Sequence, residues 1–537
     1  MRDAKPPAAL RRMTARVGCQ CSVGSGRRRY TGSMEEFFED SEIFVTGGSG
    51  VVGKALIEKL LRSCHVRRIY VLLRPRRQMT ADQRLLRLRQ ATVFHVLVAE
   101  KPQELDKVVA VPGDVSLPGL GIDPAMRERM RGVSLVYHCA ATVRFDEPLR
   151  VALRLNVGGT LEALKFAEGL PNLRAFVHVS TFYSNPYLKR VEPKYYSSPM
   201  DWRLCLRLLE EVADDGMLNA LTRKLIVGFP NTYTFTKNLA ESLVNDYRHR
   251  LPLIVYRPSI ALKISLSYFF LRLTIRRLVF SPSLMGAMGL FALVGAGILK
   301  TVYLGKDIRL DITPQDIGIK SMLCYTKRGS EIYQRGPPDE LPVYLSSSCT
   351  HLPHTFTQIA EQMDTLDLWR DVAFGKNLMI PGCHYTDRRW VYQLLVFTKQ
   401  ILPAATIDLL LRLCGQKPVL MSAVRKAYQT LEVMQPFMFN NYDSPGVTDM
   451  DLLSKEHAGT PFNLDAFNHP DIHGLVIQCC GEMLLSIRTH LLREDPSTLK
   501  RSKIILRTKV ILYRLFRLFL LYKLMRWLWT SYSSQLL

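Results

Sequence analysis

Acidic residues are almost missing from both ends of the chain: residues 1–33 hold eight Lys/Arg against one Asp, and residues 501–537 hold eight against none. A net charge of +24 on 537 residues invites a nucleic-acid partner, but in the long middle basic residues are mixed with acids. The excess belongs to the ends, where an anionic membrane surface is as good a partner as a phosphate backbone, and no nucleic-acid partner is expected. Cysteine in metal-ligand spacing is also lacking. Eleven cysteines are scattered along the chain, the close pairs being Cys19/Cys21 and Cys479/Cys480, and neither matches a common ligand spacing. A secreted disulfide scaffold is out of keeping with a chain this long and 47% hydrophobic, so the thiols are expected reduced and facing the cytosol. His457, His469 and His473 form no metal constellation and are read as structural. The first 33 residues have no secretory apolar run. They are Arg-rich and acid-poor, as transit peptides are. The expectation for 1–37 is a disordered extension, or an upstream start mispredicted ahead of Met34.

What is present begins with "SEIFVTGGSGVVGKALIEKLLRS". A short β-rich run from Ile43 to Thr46 leads into a segment with apolar residues at helical spacing. Between them lie Gly47, Gly50 and Gly53, with Ser49 and Val51 in the same loop. Glycines there permit a tight turn, let backbone N–H groups approach a pyrophosphate, and bring the helix close to the sheet. The helix N-terminus then presents its partial positive charge to the phosphates. Where the dinucleotide fold places an acid for the ribose 2′-hydroxyl, at the end of a second strand in "RRIYVLLRPRR", this chain has Arg74, followed by Arg76 and Arg77. An arginine suits a 2′-phosphate, which favours NADPH over NADH; the alternative is a solvated basic loop. Further strands are expected at 107–115, 133–141, 174–181 and 251–259, with helices between. Alternating β and α units imply an α/β fold, a Rossmann-type doubly wound parallel sheet with its ligand at the carboxyl ends of the strands.

In "NTYTFTKNLAE" (231–241) a tyrosine and a lysine stand four residues apart. On a helix they share a face. An unperturbed phenol has a pKa of about 10, so a phenol that must give up a proton near neutral pH needs a cation beside it, and Lys237 could lower the pKa of Tyr233. Alone, such a pair also arises by chance.

Taken in order, "TGGSGVVG", "GDVSLPGLGI", "YHCAATVRFDEPL", "NVGGT", "FVHVST" and "FPNTYTFTKNLAE" resemble the extended short-chain dehydrogenases/reductases, and more narrowly the eukaryotic fatty acyl-CoA reductases, over about residues 38–260 and more loosely to 500. The resemblance implies that Tyr233 gives a proton to the carbonyl oxygen as hydride arrives, and that Lys237 also bonds the nicotinamide ribose. It implies that Thr181 or Ser180 holds the reacting oxygen. Asp114 and Val115 would flank the adenine, and Ala140 and Ala141 would lie beside the cofactor. Asn156 would either support the lysine through water or cap a helix. The implied reaction is NADPH-dependent reduction of a long-chain fatty acyl-CoA, through an aldehyde, to a fatty alcohol. The implied setting is a membrane-associated enzyme, its catalytic domain cytosolic, at the endoplasmic reticulum or peroxisome. Two other readings share the same motifs: a nucleotide-sugar epimerase or dehydratase, and a non-catalytic NADPH-binding protein.

The pattern breaks at 261–284, an apparent insertion that puts the acyl site, and competence itself, in question, and recovers near Asp311, Pro314 and Asp316. The expected division is an extension over 1–37, an NADPH-binding domain over 38–345, a helical carboxy-terminal domain over 346–500 and a membrane-associated tail over 501–537. Leu284–Leu299 is short for a span of about 20 residues and suits a pocket wall. Segment 391–413 carries Lys399 and Asp408, each costing about 3 kcal/mol at a bilayer centre, so it suits a surface-embedded helix. The tail 503–530 spreads its basic residues round the helix, against a clean span. Its Trp527 and Trp529 suit a membrane interface, and its long basic side chains can snorkel.

Overall fold

The computed structural model describes residues 32–75, 78–262, 287–309, 311–348, 354–375, 377, 379–444, 447–464 and 472–536. Arg76, Arg77, His469 and nearly all of the 261–284 insertion lie outside them.

Seven strands form the central sheet: β1 (Glu42–Thr46), β2 (Arg68–Leu73), β3 (Val108–Pro112), β4 (Val133–His138), β5 (Ala175–Val179), β6 (Leu253–Pro258) and β7 (Val343–Ser346). Their order is β7-β6-β5-β4-β1-β2-β3 and every pairing is parallel. The order reverses between β1 and β4, which opens the ligand crevice of a doubly wound sheet at their carboxyl ends. Each residue of β1 and β5 is buried, because helices cover both faces, and the strands accordingly read as mostly apolar runs broken by Glu42, Thr46 and His178.

Helix α1 (Met34–Phe38) begins the described structure. Ser33 and Glu36 form a capping box, and Met34, Phe37 and Phe38 are buried. The first domain therefore starts at least four residues before the expected boundary at 38. Helix α2 (Val51–Ser63) packs Leu56, Ile57, Leu60 and Leu61 on one face of the sheet, joined there by Ile317, Met322 and Leu323. On the other face lie Leu164 and Phe166, with Phe235, Leu239 and Leu243. Among these layers run α3 (Ala81–Arg89), α4 (Gly159–Glu168) and α5 (Thr232–Asp246).

A third core combines Leu290, Phe291, Val294, Val302 and Leu304 with Phe356, Met363, Trp369, Met483 and Leu484. The stretch around 290–308 thus packs with the carboxy-terminal helices, and the chain then returns to the sheet through α6 (Gln315–Gln334) and β7. The expected cut at 345 runs through this interleaving. None of the described cysteines forms a disulfide.

Candidate active site

At the end of β1, Gly47 has φ +69°, and a Cβ there would lie 2.6 Å from the Ala140 nitrogen. The glycine loop therefore rests directly on the segment leaving β4, which is how Ala140 and Ala141 come to the crevice. Gly50 N–H donates to Gly47 O (2.8 Å), closing the turn. A Cβ on Gly53 would sit 2.5 Å from Gly47 O, so only glycine lets α2 come this close. Val51 opens α2, and its carbonyl accepts from Gln315 Nε2 at 2.8 Å. A backbone cradle at a helix N-terminus, kept open by glycines, fits a pyrophosphate.

Arg74 follows β2 and pairs with Asp114 (Nη1–Oδ2 3.3 Å), just past β3. Asp114 is fixed in turn by the N–H and hydroxyl of Ser116 at 3.0 and 2.9 Å. Val115 lies against Gly159, where an added Cβ would fall 3.1 Å from its own Cβ. The sequence did not single out Arg84, on the first turns of α3. Its guanidinium donates to the Arg74 carbonyl and, at 3.3 Å, to Ser49 Oγ, bridging the end of β2 to the glycine loop. Nothing in a polar helix of ordinary pattern marks that reach. Among the described residues no cluster suits a metal ion.

Helix α5 starts at Asn231, whose side chain accepts from Thr234 N–H at 2.9 Å. Tyr233 and Lys237 stand on the face toward the ends of β4 and β5. Lys237 is 3% exposed, and its Nζ donates to Val179 O at 2.6 Å. Burial lowers its pKa to about 8, against the raising influence of Glu241. The phenol behaves otherwise than expected: burial pushes Tyr233 up to about 12, opposed only by a bond with the Thr181 hydroxyl. The ammonium is engaged with a carbonyl, and desolvation of the phenol outweighs any help from it.

The two hydroxyls left open by the sequence differ sharply in setting. Ser180 Oγ donates to Glu241 Oε1 at 2.5 Å, and Glu241 is locked to Arg257 (2.7 Å) in a fully buried ion pair. Thr181 instead touches Tyr233 and accepts from Tyr183 N–H at 3.4 Å. Asn156 lies in a π-helical turn, Leu153–Gly158, ahead of α4. Its amide binds the Thr142 backbone on one side (2.9 and 3.3 Å) and Thr236 Oγ1 (2.9 Å) on the other, so it ties the loop after β4 to α5. It does not cap a helix.

Aromatic rings line the approach. Phe145 lies 5.7 Å from the Tyr233 ring and 5.5 Å from Phe437, and Phe437 lies 5.2 Å from Tyr183. Tyr183 and Phe437 also line a largely apolar cleft, with about 40 Å³ of room for water-sized spheres, together with Leu290, Leu304, Phe356 and Met434. Leu290 belongs to the stretch expected as a pocket wall. Sequence reasoning passed over Phe145 and Phe437, because 292 residues of chain separate two rings that touch only after folding.

A parallel doubly wound sheet with a glycine cradle at β1 and a tyrosine–lysine helix beside β5 defines the extended short-chain dehydrogenase/reductase class. A family model described as "Male sterility protein" matches residues 45–322. Fatty acyl-CoA reductase wat of Drosophila melanogaster is 31% identical over 500 residues, covering 92% of each chain. Fatty acyl-CoA reductase 1 of Gallus gallus is 30% identical, covering 81% of this chain and 82% of its own. The chain belongs to the fatty acyl-CoA reductase family, and is an oxidoreductase with a nicotinamide-binding domain. Its fold is shared by the terminal R domain from the myxalamid PKS-NRPS biosynthetic pathway, with a TM-score of 0.54, 18% identity and coverage of 85% and 91% of the two chains.

Among the described residues, one helix, Arg389–Leu413, is long and apolar enough to cross a membrane. The tail helix, Leu499–Leu536, is not, and exposes apolar side chains from Ile511 to Trp529.

Proposed function

We propose that the protein reduces long-chain fatty acyl-CoA to fatty alcohol with NADPH, with Tyr233 as the proton donor. The observation that carries the roles is the Tyr233 phenol beside the Thr181 hydroxyl, one helical turn from a buried lysine. NADPH, when bound along the glycine loop, supplies hydride to a carbonyl carbon placed beside Tyr233. Negative charge then builds on the carbonyl oxygen. The Thr181 hydroxyl donates a hydrogen bond to that oxygen, and Tyr233 passes its proton to it. A phenol held near pKa 12 is protonated at neutral pH, which suits a donor in the reducing direction. Lys237, in contact with Val179 O, would bond the nicotinamide ribose and steady the phenolate left behind. Ser180, fixed on Glu241, positions the end of β5 and does not touch substrate. A thioester becomes an alcohol in two such rounds: the first expels CoA and leaves an aldehyde, and the second reduces the aldehyde.

Arg74 and Arg84 converge on the end of β2 and supply two guanidinium groups for a 2′-phosphate, which favours NADPH. The acyl chain enters the cleft beside Tyr183. The exposed apolar faces of Arg389–Leu413 and of the tail rest on a membrane, with the cofactor domain on the cytosolic side.

The test incubates membranes carrying the protein with NADPH and palmitoyl-CoA and identifies products by mass. Hexadecanol is expected, with hexadecanal trapped when a carbonyl reagent is present. Tyr233→Phe should lower turnover by at least about 100-fold while NADPH titrates normally. A Tyr233→Phe enzyme of undiminished rate would assign the proton to another group.

A further inference from the structure

Side chains from both halves of the molecule close a ring of contacts. The Thr181 hydroxyl acts on the Tyr233 phenol, and its Oγ1 accepts from Tyr183 N–H. The Tyr183 ring meets Phe437 edge-on (75°), Phe437 meets Phe145, and Phe145 returns to Tyr233. Four members come from the cofactor domain. The fifth, Phe437, comes from the short 3-10 turn Gln435–Met438 that ends the helix Leu420–Met434. Tyr442 braces Tyr183 from the same side, with ring centroids 5.3 Å apart. The four aromatic members remain partly exposed, unlike the core aromatics Phe176 and Phe182. Rings that touch one another yet stay half-exposed suit the rim of an opening better than a packed core. Tyr233 stands at one end of this row of rings, and Tyr183 and Phe437 at the other line the apolar cleft.

We propose that Phe437 is a specificity-determining residue: its ring sets the width of the portal through which the acyl chain reaches Tyr233, and so selects unbranched carbon next to the thioester. The inference rests on the acyl-CoA reading above. An unbranched chain lying along the faces of Phe437 and Phe145 keeps its carbonyl within reach of both hydroxyls. A methyl branch beside the carbonyl meets the ring edge. The carboxy-terminal region thereby contributes to selection at a site whose chemistry is otherwise held by the sheet.

The experiment compares palmitoyl-CoA with 2-methylpalmitoyl-CoA in the parent, Phe437→Ala and Phe437→Leu, with NADPH titration as the fold control. Phe437→Ala is expected to raise KM for palmitoyl-CoA about tenfold with kcat changed less than about threefold. It should also shrink the preference for the unbranched chain about tenfold, the range one methyl group commands in an apolar site. Phe437→Leu should restore most of the KM but only part of the preference. If Phe437→Ala does not fold, the Leu variant carries the comparison. Variants that bind NADPH normally and keep the parent's straight-to-branched ratio would overturn the portal. A parent that reduces neither thioester would instead remove the acyl-CoA reading, and the portal with it.

Discussion

Lys237 is a cation held where cations are penalised. It is 3% exposed, its one hydrogen bond is to the Val179 carbonyl, and its pKa has fallen from 10.5 to about 8. A shift of that size costs the folded state of the order of 3 kcal/mol, since each pKa unit is about 1.4 kcal/mol. Below pH 8 both folded and unfolded chains carry the proton and the penalty is complete. Between pH 8 and 10.5 the folded chain sheds its proton first, the unfolded state binds more protons, and stability rises with pH. Above 10.5 the penalty is gone. Lys237→Met should therefore melt above the parent at pH 7, with the gap closing by about pH 10, while turnover falls sharply. Melting curves at the two pH values check this; a variant that melts below the parent at both would mean that the Val179 bond outweighs desolvation. The neighbouring serine sits in a contrasting balance. Glu241 and Arg257 are both buried but satisfy each other and Ser180, so that charge pair holds the end of β5 in place.

Among the elements, the turn from β1 to α2 has little freedom. Gly47 is in the left-handed region and presses on Ala140, so Gly47→Ala meets both a conformational penalty and a backbone clash at 2.6 Å. The expected outcome is a loss of about 1–3 kcal/mol in stability and at least tenfold weaker NADPH binding, read by denaturant melts and fluorescence titration. An alanine variant binding NADPH as the parent does would refute the cradle. This turn, like the strands around it, was legible in the sequence because its determinants are local: a β-rich run, three glycines and a helical period within about two dozen residues. The expected strands at 107–115, 133–141, 174–181 and 251–259 hold β3 to β6 for the same reason. β7 went unread, since "VYLS" is four residues long and follows an excursion away from the sheet. The candidate site was legible as positions, through Gly47, Arg74, Tyr233 and Lys237, but not as a balance of forces. The rise of the Tyr233 pKa depends on burial by distant chain, and Arg84, Phe145 and Phe437 gain their meaning only from partners brought together by folding.

At the scale of the whole molecule, the proposed membrane contact falls to two helices with exposed apolar faces. Asp408 had counted against a bilayer span by the helix Arg389–Leu413. Its carboxylate instead accepts from the N–H groups of Val419, Leu420 and Met421 at 2.9–3.0 Å, capping the next helix from the protein side. With that charge turned inward, the outer face presents Trp390, Leu394, Phe397, Leu402 and Leu413, each more than half exposed, and Lys399 can snorkel. A helix lying in the interface plane suits this pattern better than one that spans. The tail adds a second apolar surface, anchored at its root by Lys509 on Asn377 and by the buried Leu506. Two weak membrane contacts of the kind proposed would reinforce each other, because the second would bind at the high effective concentration set by the first. A chain ending at Leu512 should therefore keep measurable binding to phosphatidylserine-containing vesicles, weakened about tenfold or more. Adding Leu394→Asp and Phe397→Asp should bring sedimentation to background, since burying each apolar side chain is worth about 2 kcal/mol. Full release by the tail deletion alone would assign the membrane contact to the tail. Undiminished binding by the doubly substituted full-length chain would acquit the Arg389–Leu413 face in the same way.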